Sequence, residues 1–357
     1  MTETIRLASR GSDLALRQAR SVAETLETRR RNTEIVEVET TGDAVRDELI
    51  HRLGTTGAFV RSLDEKVLAG DVDAAVHSMK DMPTDFPDEL VVAGVPERAA
   101  AGDVILTPDG GSLDDLPEGA TVGTSSLRRK AQLLAIRPDL AIEPLRGNVD
   151  TRVQKLLAPT LQAEHERRLE AAEADDEDED ESKTYDRTPE EWFEALSEIE
   201  RQALGREPDT EFDAIVLAEA GLARSGLTET VAYRRLPETF VSAPGQGALA
   251  VTARKGALAR TLRDVLDHPR SRAETTVERT ILEALGGGCV APIGVYSIVQ
   301  GEYVQTRVRV LSQDGTEQIE ATRDIPIGTH PDAAREFAAE LTERGAADLV
   351  QRARRET

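Results

Sequence analysis

The first two thirds of the chain repeat short strands, each followed by a turn and a helix-like run. Residues 5–8 and 34–40 alternate apolar and polar positions, which indicates half-buried strands. Residues 72–76 and 212–218 are mostly apolar, as in the central strands of a parallel sheet. The same order of strand, turn and helix recurs at residues 120–137. This order predicts an α/β fold.

The end of the chain has a different order of elements. A helix-like run at residues 272–285 is followed by three strands at meander spacing and by a final helix at residues 332–352. The three strands are predicted at residues 293–298, 304–311 and 318–322. Strands grouped in this way indicate a small α+β domain.

An acidic segment interrupts the pattern between residues 158 and 211. Residues 175–181 are all acidic, and such a like-charge block is expected to be disordered or fully solvated. One helix is predicted near the end of the segment, at residues 189–204. We interpret the segment as a surface insertion without a chemical role.

Charge and cysteine content narrow the classes of function. The formal net charge of −23 argues against general binding of nucleic acid, which needs a basic surface. A dispersed acidic excess with little lysine is typical of a cytosol at very high salt, where charge repulsion is screened. The single cysteine, the lack of an apolar stretch of membrane-spanning length and an N-terminus without a signal pattern predict a cytoplasmic protein with no membrane partner.

Several arginines lie where predicted helices begin. Backbone N–H groups at a helix start attract anions, and an arginine beside them adds a charged fork. The residues concerned are Arg10 and Ser12, then Ser126, Arg128 and Arg129, and finally Arg146, Asn148 and Arg152. The second and third of these turns lie close together in the sequence, and together they predict a ligand with several carboxylates or phosphates. Surface salt bridges are the alternative for these arginines.

Lys80 and Asp81 directly follow an apolar strand, ahead of Pro83. Ligands of α/β sheets bind beyond the carboxyl ends of the strands, so this pair is a candidate for chemistry. A solvated turn is the alternative. We expect His77 to pack or to form hydrogen bonds rather than to bind a metal, because no second ligand lies at a suitable spacing.

Cys289 is the only cysteine, and it follows three glycines. It cannot form an intramolecular disulfide or a multi-thiolate metal site. The pattern leaves two hypotheses, an inert small residue beside a helix end or a covalent attachment point.

With these residues in hand, the chain closely resembles the porphobilinogen deaminase (hydroxymethylbilane synthase) family. The matching stretches are RLASRGSDLALRQ at residues 6–18, FVRSL at 59–63, DAAVHSMKDMP at 73–83, VGTSSLRR at 122–129, LRGNVDTR at 145–152, FDAIVLAEAGLARSGL at 212–227, APGQGALA at 243–250 and EALGGGCVAPIG at 283–294. They follow the family's order along nearly the whole chain outside the acidic segment. One departure is Thr55-Thr56-Gly57, where the family often has a glycine–lysine–glycine run.

The resemblance implies three domains. Two are α/β lobes similar to those of periplasmic binding proteins, with the active site between them, and the third is a small α+β domain that carries Cys289. The expected boundaries are residues 1–100 with 238–255 for the first lobe, 104–237 for the second and 258–357 for the C-terminal domain.

The resemblance also implies the reaction. Four porphobilinogen molecules are joined head to tail with loss of ammonia, giving the linear tetrapyrrole hydroxymethylbilane for haem and cobamide synthesis. The implied cofactor is one dipyrromethane per chain, bound to Cys289 as a thioether, and no metal is expected. A monomer that hands its product to a uroporphyrinogen-III synthase is expected.

The resemblance assigns roles to the candidate residues. Those implied to bind the cofactor are Lys80, Asp81, Ser126, Arg128, Arg129, Arg146 and Arg152. Among them, the four arginines, helped by Ser126, are implied to bind the carboxylates of the cofactor and the growing chain. Those implied to bind the incoming substrate are Arg10, Ser12 and Arg224.

Asp81 is expected to be catalytic. Loss of ammonia from the substrate leaves a cationic azafulvene, and a fixed carboxylate stabilises that charge and can pass protons. A non-catalytic binding protein for a polyanion is the rival hypothesis, although it gives no reason for Asp81 or Cys289. A cysteine hydrolase is weaker, because no base with an orienting partner lies near the thiol in sequence.

Overall fold

The computed structural model describes residues 3–28, 31–38, 58–177, 185–207, 210–288 and 291–355. Within these ranges the chain forms two five-stranded sheets and one three-stranded sheet. This arrangement confirms the predicted fold class of two α/β lobes and a small α+β C-terminal domain. No helix in the described ranges is long and apolar enough to cross a bilayer.

The first lobe is built on a sheet of strand order β2-β1-β3-β10-β4. Its elements are β1 (Glu3–Ser9), α1 (Asp13–Leu26), β2 (Arg31–Glu37), α2 (Ala58–Ala69), β3 (Ala74–Ser78), β4 (Leu90–Gly94), β10 (Leu249–Arg254) and α8 (Ala257–Leu266). Strands β1, β2 and β3 are parallel, and β10 runs antiparallel between β3 and β4. The carboxyl ends of β1 and β3 therefore meet at one edge.

The second lobe repeats this plan with the strand order β7-β6-β8-β5-β9. Its elements are β5 (Asp103–Leu106), β6 (Thr121–Gly123), α3 (Leu127–Ile136), β7 (Ala141–Glu143), α4 (Val149–Glu177), α5 (Pro189–Ala195), α6 (Glu198–Leu204), β8 (Ala214–Ala218), α7 (Glu219–Ser225) and β9 (Arg234–Arg235). Here β5 is the antiparallel strand beside β8. The chain passes between the lobes twice, in a first crossover (residues 95–102) and a second crossover (residues 236–248).

The acidic segment is partly integrated into the second lobe, contrary to our interpretation of it as a surface insertion. Ile199 on α6 is buried in one apolar cluster with Leu156 and Phe212. The single helix predicted at residues 189–204 is two helices, because Ser197 starts a new one with a capping box. Most of the acidic block at residues 175–181 lies outside the described residues.

The C-terminal domain packs three helices against a meander. Its elements are α9 (Pro269–Ala284), β11 (Ile293–Gln300), β12 (Tyr303–Leu311), β13 (Gln318–Pro326), α10 (His330–Glu343) and α11 (Ala346–Arg355). Buried Val277, Val308, Phe337 and Leu349 belong to one cluster. The single final helix predicted at residues 332–352 was wrong, since Gly345 has φ of 95° and separates two helices.

Helix α8 belongs by packing to the first lobe. Leu262 and Leu266 lie in the same buried cluster as Leu7 and Leu249. The expected start of the C-terminal domain at residue 258 therefore differs from the packing, which places the start at α9.

Glu278 on α9 ties both crossovers to the C-terminal domain. It is fully buried and accepts hydrogen bonds from Arg98 Nη1 at 2.8 Å, Gly245 N at 2.6 Å and Ser297 N at 2.7 Å. Burial raises the pKa of Glu278, and the charge of Arg98 opposes that rise. One carboxylate thus joins the first crossover, the second crossover and β11.

Candidate active site

The turn after β3 presents two charged side chains. A short 3-10 turn spans Met79–Asp81, with Met79 and Met82 buried on either side of an exposed Asp81. Lys80 is half-buried. The apolar residues anchor the turn in the first lobe, and the charged residues face outward.

His77, just before this turn, is a structural residue, as expected. Its ring is buried, and its Nε2 lies 3.1 Å from Asp64 Oδ1 and 3.0 Å from Thr252 Oγ1. These contacts join α2, β3 and β10. They hold Nε2 of the imidazole inside the lobe, away from the cleft.

The neighbouring strand end carries Arg10 and Ser12. Ser12 is the N-cap of α1, and its hydroxyl accepts a hydrogen bond from Ala15 N at 3.4 Å. Because β1 and β3 are parallel neighbours, Arg10 and Ser12 lie at the same sheet edge as Lys80 and Asp81.

The second lobe presents two helix starts at the corresponding edge of its sheet. Ser126 caps α3, and Asn148 accepts a hydrogen bond from Thr151 N at 2.8 Å at the start of α4. Arg152 Nε donates to Gly147 O at 2.8 Å. Strands β6 and β7, which precede these helices, are parallel neighbours. Both predicted anion-binding turns therefore lie side by side.

Charged residues from the two lobes act on one another. The pKa of Arg152 is lowered to about 10, chiefly by burial and also by the charge of Arg129, while Asp81 opposes the shift. Burial also lowers the pKa of Lys80; Asp81 opposes this, while the charges of Arg129 and Arg152 add to it. Asp81 and Lys80 of the first lobe thus share an electrostatic environment with Arg129 and Arg152 of the second. These charges of the two lobes meet in the cleft between them, which is where the resemblance places the active site.

Sequence reasoning missed Asp103, at the start of β5. Its carboxylate is buried and lies 2.7 Å from Arg128 Nη1 and 2.8 Å from Arg129 Nη2. Gln246 Nε2 donates to it at 3.0 Å. Burial would raise the pKa of Asp103, but the two arginines outweigh burial and hold it well below its usual range.

Arg128 is consequently in a different setting from the one expected of a ligand-binding residue. Only 4% of its surface is exposed, and Nη1 also donates to Val241 O at 2.7 Å. Its guanidinium fixes the second crossover to the second lobe. Arg129 is 5% exposed and donates to Val216 O at 2.9 Å, but its charge reaches Lys80 and Arg152.

Arg146 and Arg224 differ in whether their side chains already bond to other parts of the protein. Arg146 is half-buried, and within the described part of the chain its side chain makes no hydrogen bond or ion pair. Arg224 Nη2 donates to Gly247 O at 2.7 Å, and burial lowers its pKa. Arg146 is therefore available to an anion, while Arg224 is already bonded to the second crossover.

Cys289 lies outside the described residues, as does Val290. The start of the loop is tightly placed, because a Cβ on Gly287 would lie 2.5 Å from Leu282 Cδ1 and 2.6 Å from Ile293 Cδ1. Among the described residues no group of three or more His, Cys, Asp or Glu could hold a metal ion.

Two family models of known proteins together match most of the chain. Residues 5–164 and 200–260 match the family model described as porphobilinogen deaminase, dipyromethane cofactor binding domain. Residues 273–344 match the model of the porphobilinogen deaminase C-terminal domain. The residues between the two parts of the first match, 165–199, fall in the acidic segment.

Three named relatives are similar to this chain over nearly their full length. The chain is 51% identical to a probable porphobilinogen deaminase of Halobacterium salinarum, over 99% of each chain. It is 38% identical to a probable porphobilinogen deaminase of Methanococcoides burtonii, over 97% of this chain and 96% of the relative. It is 36% identical to a porphobilinogen deaminase of Desulforudis audaxviator, over 99% of each.

Solved structures give a weaker likeness. An ABC transporter protein from Parabacteroides distasonis has a TM-score of 0.37 at 12% identity, covering 98% of this chain and 95% of that one. Iron-bound HitA from Pseudomonas aeruginosa has a TM-score of 0.34 at 9% identity, covering 96% and 99%.

Proposed function

The chain belongs to the porphobilinogen deaminase family, and from this premise we propose how its residues carry out the reaction. The enzyme is a transferase of tetrapyrrole synthesis that joins porphobilinogen units head to tail with release of ammonia. We assign the chemistry to the cleft between the lobes, with Asp81 as the catalytic residue.

The observation that carries the proposal is the excess of positive charge in the cleft. The charges of Arg129 and Arg152 add to the lowering of the pKa of Lys80, and the charge of Arg129 adds to the lowering of the pKa of Arg152. Among the described residues, Asp81 opposes both shifts and Asp103 opposes that of Lys80. Clustered cations are stabilised by a bound polyanion, and arginine matches carboxylates with a bidentate fork. A dipyrromethane bearing several carboxylates fits this donor set.

The residues proposed to hold the cofactor differ in how they act. Cys289 attaches it through a thioether, and Ser126, Arg146 and Arg152 receive its carboxylates together with Lys80. Arg129 contributes its charge, held in place by Asp103. We now propose that Arg128 supports Asp103 and the second crossover instead of touching the ligand. The bound dipyrromethane supplies the pyrrole carbon to which the first substrate unit is joined.

Asp81 is proposed to act on the substrate. As ammonia leaves, positive charge develops on the substrate's pyrrole nitrogen, and a fixed carboxylate stabilises it where it forms. Its exposed position at the cleft also lets it accept and return protons. Arg10, Ser12 and Arg224 are proposed to hold the substrate's acetate and propionate groups beside it.

Intact mass measurement tests the proposal against the rival of a polyanion-binding protein. The purified protein should carry about two pyrrole units of extra mass, which Cys289→Ser removes together with activity. Asp81→Ala should keep its fold and lose nearly all turnover. An unmodified thiol in active wild-type protein, or full activity of Asp81→Ala, would contradict the assignment.

We also propose a working context. The proposed domain division is residues 1–100 with 238–255 and helix α8 for the first lobe, residues 104–237 for the second lobe, and a C-terminal domain that starts at α9. The enzyme is proposed to act as a monomer in a cytoplasm of high salt, on grounds of its single cysteine and acidic composition. Hand-off of its product to a uroporphyrinogen-III synthase belongs to the same proposal.

A further inference from the structure

Arg279, on α9 of the C-terminal domain, reaches across to the turn that carries Asp81. Its Nη1 donates to Met79 O at 3.4 Å and to Met82 O at 3.3 Å, and its Nη2 donates to Pro83 O at 2.5 Å. These three carbonyls lie on both sides of Asp81. One guanidinium therefore holds the backbone before and after this residue.

A short turn needs such a partner. Met82 N donates to Met79 O at 3.1 Å, and the other carbonyls at the end of a 3-10 turn have no partner within the turn itself. Arginine offers several donors in a fixed planar fork, which suits three nearby carbonyls. Lysine offers a single nitrogen and cannot span the same group.

The opposite side of the turn is held by packing. Met79 N donates to Ala248 O at 3.0 Å, and a Cβ on Gly245 would lie 2.9 Å from Met79 Cγ. The second crossover thus closes against Met79 and leaves little room for movement in that direction.

On the α9 side the packing is open. A cavity of about 180 Å³ lies between α9 and the first lobe, lined in part by Met79, Thr84, Thr276, Arg279 and Glu283. Side-chain packing therefore does not hold this face of the turn, and the hydrogen bonds of Arg279 are its main restraint there.

We propose that Arg279 is a positioning residue for Asp81. The inference rests on the proposed function, because it matters for catalysis only if Asp81 is catalytic. Arg279 stands ten positions before Cys289 in the chain. Helix α9 therefore has two proposed roles. It precedes Cys289, the proposed point of cofactor attachment, and through Arg279 it fixes the position of the Asp81 carboxylate.

Arg279→Met removes the donors and keeps most of the side-chain length. We expect kcat to fall about 10- to 100-fold, since a misplacement of about 1 Å can cost a factor of 100 in rate. KM should change less than twofold, because the proposed substrate-binding residues are untouched. Arg279→Lys should recover part of kcat, and it provides a second variant should Arg279→Met fold poorly.

Arg272 provides the matched control. It lies two turns earlier on α9, borders the same cavity and donates to Val92 O of the first lobe at 3.2 Å. Arg272→Met removes this hydrogen bond between the domains, together with the ion pair of Arg272 with Asp267, without touching the turn. Its kcat should stay within twofold of the wild type. Equal falls in kcat for both variants would overturn the proposal, because loosening of the domains would then explain both.

A double-mutant cycle with Asp81→Glu gives an independent readout. Asp81→Glu already misplaces the carboxylate, so Arg279→Met should cost less in that background than in the wild type. Equal losses in both backgrounds would contradict a positioning role. If Asp81→Ala is inactive and Arg279→Met is fully active, this inference alone fails; if Asp81→Ala is active, the proposed function fails with it.

Discussion

At the scale of single residues, the arginines near the cleft divide according to their partners. Arg128 is buried and bonded to Asp103 and Val241, whereas Arg146 makes no hydrogen bond or ion pair within the described residues. Both look alike in the sequence, since each stands at the start of a helix. Their partners therefore predict opposite effects of substitution.

Replacing Arg128 should destabilise the fold, and replacing Arg146 should weaken ligand binding. Arg128→Ala removes one partner of a buried carboxylate, which costs about 3 kcal/mol in comparable buried pairs. Arg146→Ala should change stability by less than about 0.5 kcal/mol, as is usual for side chains without internal partners. Denaturant unfolding measures the first effect, and the fraction of purified protein that carries the cofactor mass measures the second. A stable Arg128→Ala variant with reduced cofactor loading would restore its expected role in binding ligand.

At this scale the sequence predicted contacts between residues a few positions apart, but it did not predict ion pairs between residues far apart in the chain. Ser126 was identified as a helix cap because a cap bonds to a backbone N–H only three residues ahead, and its hydroxyl accepts from Arg129 N. The partner of Arg128, on helix α3, is Asp103, which is 25 positions away on strand β5. No local pattern around Asp103 indicated that two arginines would converge on it.

At the scale of elements, the β12–β13 turn docks on α3 backbone to backbone. A Cβ on Gly315 would lie 2.4 Å from Ala131 O and 2.7 Å from Ala135 N. The turn is ordered by Asp314, which accepts hydrogen bonds from Ser312 Oγ at 2.5 Å and Thr316 N at 3.1 Å. Helix α3 begins at the cleft, so this contact joins the C-terminal domain to the arginine-rich side of the site.

Gly315→Ala should therefore lower Tm more than Gly301→Ala does. Gly301, in the other turn of the same sheet, has φ of 60° with no atom within 4 Å of its would-be Cβ, and Gly315 has φ of 74°. Each substitution carries the cost of a left-handed alanine, about 1 kcal/mol. Only Gly315→Ala adds the clash with α3, and overpacking costs about 1–3 kcal/mol. Calorimetry of both variants measures the difference; equal values of Tm would argue against close docking.

The existence of elements followed from the sequence better than their boundaries did. The glycines that precede Cys289 were correctly placed after a helix, and the meander was confirmed as β11, β12 and β13. The helix predicted at residues 189–204 could have been divided, because Ser197 and Glu200 form a readable capping box. Helix α8 offered no such signal, since its amphipathic face fits either domain.

At the scale of the whole molecule, the surface is strongly acidic. The chain has 67 acidic and 44 basic residues, leaving a net charge of −23. The Debye length falls from about 10 Å at 0.1 M salt to about 3 Å at 1 M. Repulsion between carboxylates on different elements is then largely screened.

Stability should therefore rise with salt. We expect Tm to increase between 0.1 M and 1 M KCl, and most of the increase should occur below 1 M if screening is the cause. A thermal unfolding series at constant pH measures this. A fall of Tm over that range would contradict the interpretation, and an increase confined to higher concentrations would indicate exclusion of salt from the protein surface instead.

The place of β10 in the first sheet sets an order of events during synthesis. This strand lies between β3 and β4, yet it is encoded after the whole second lobe. A nascent chain leaving the ribosome has every strand of the second sheet by residue 235, and completes the first sheet only at residue 254. The lobe whose synthesis begins first is thus the later of the two to complete its sheet, and Asp81, the residue proposed to be catalytic, depends on a segment translated long after it.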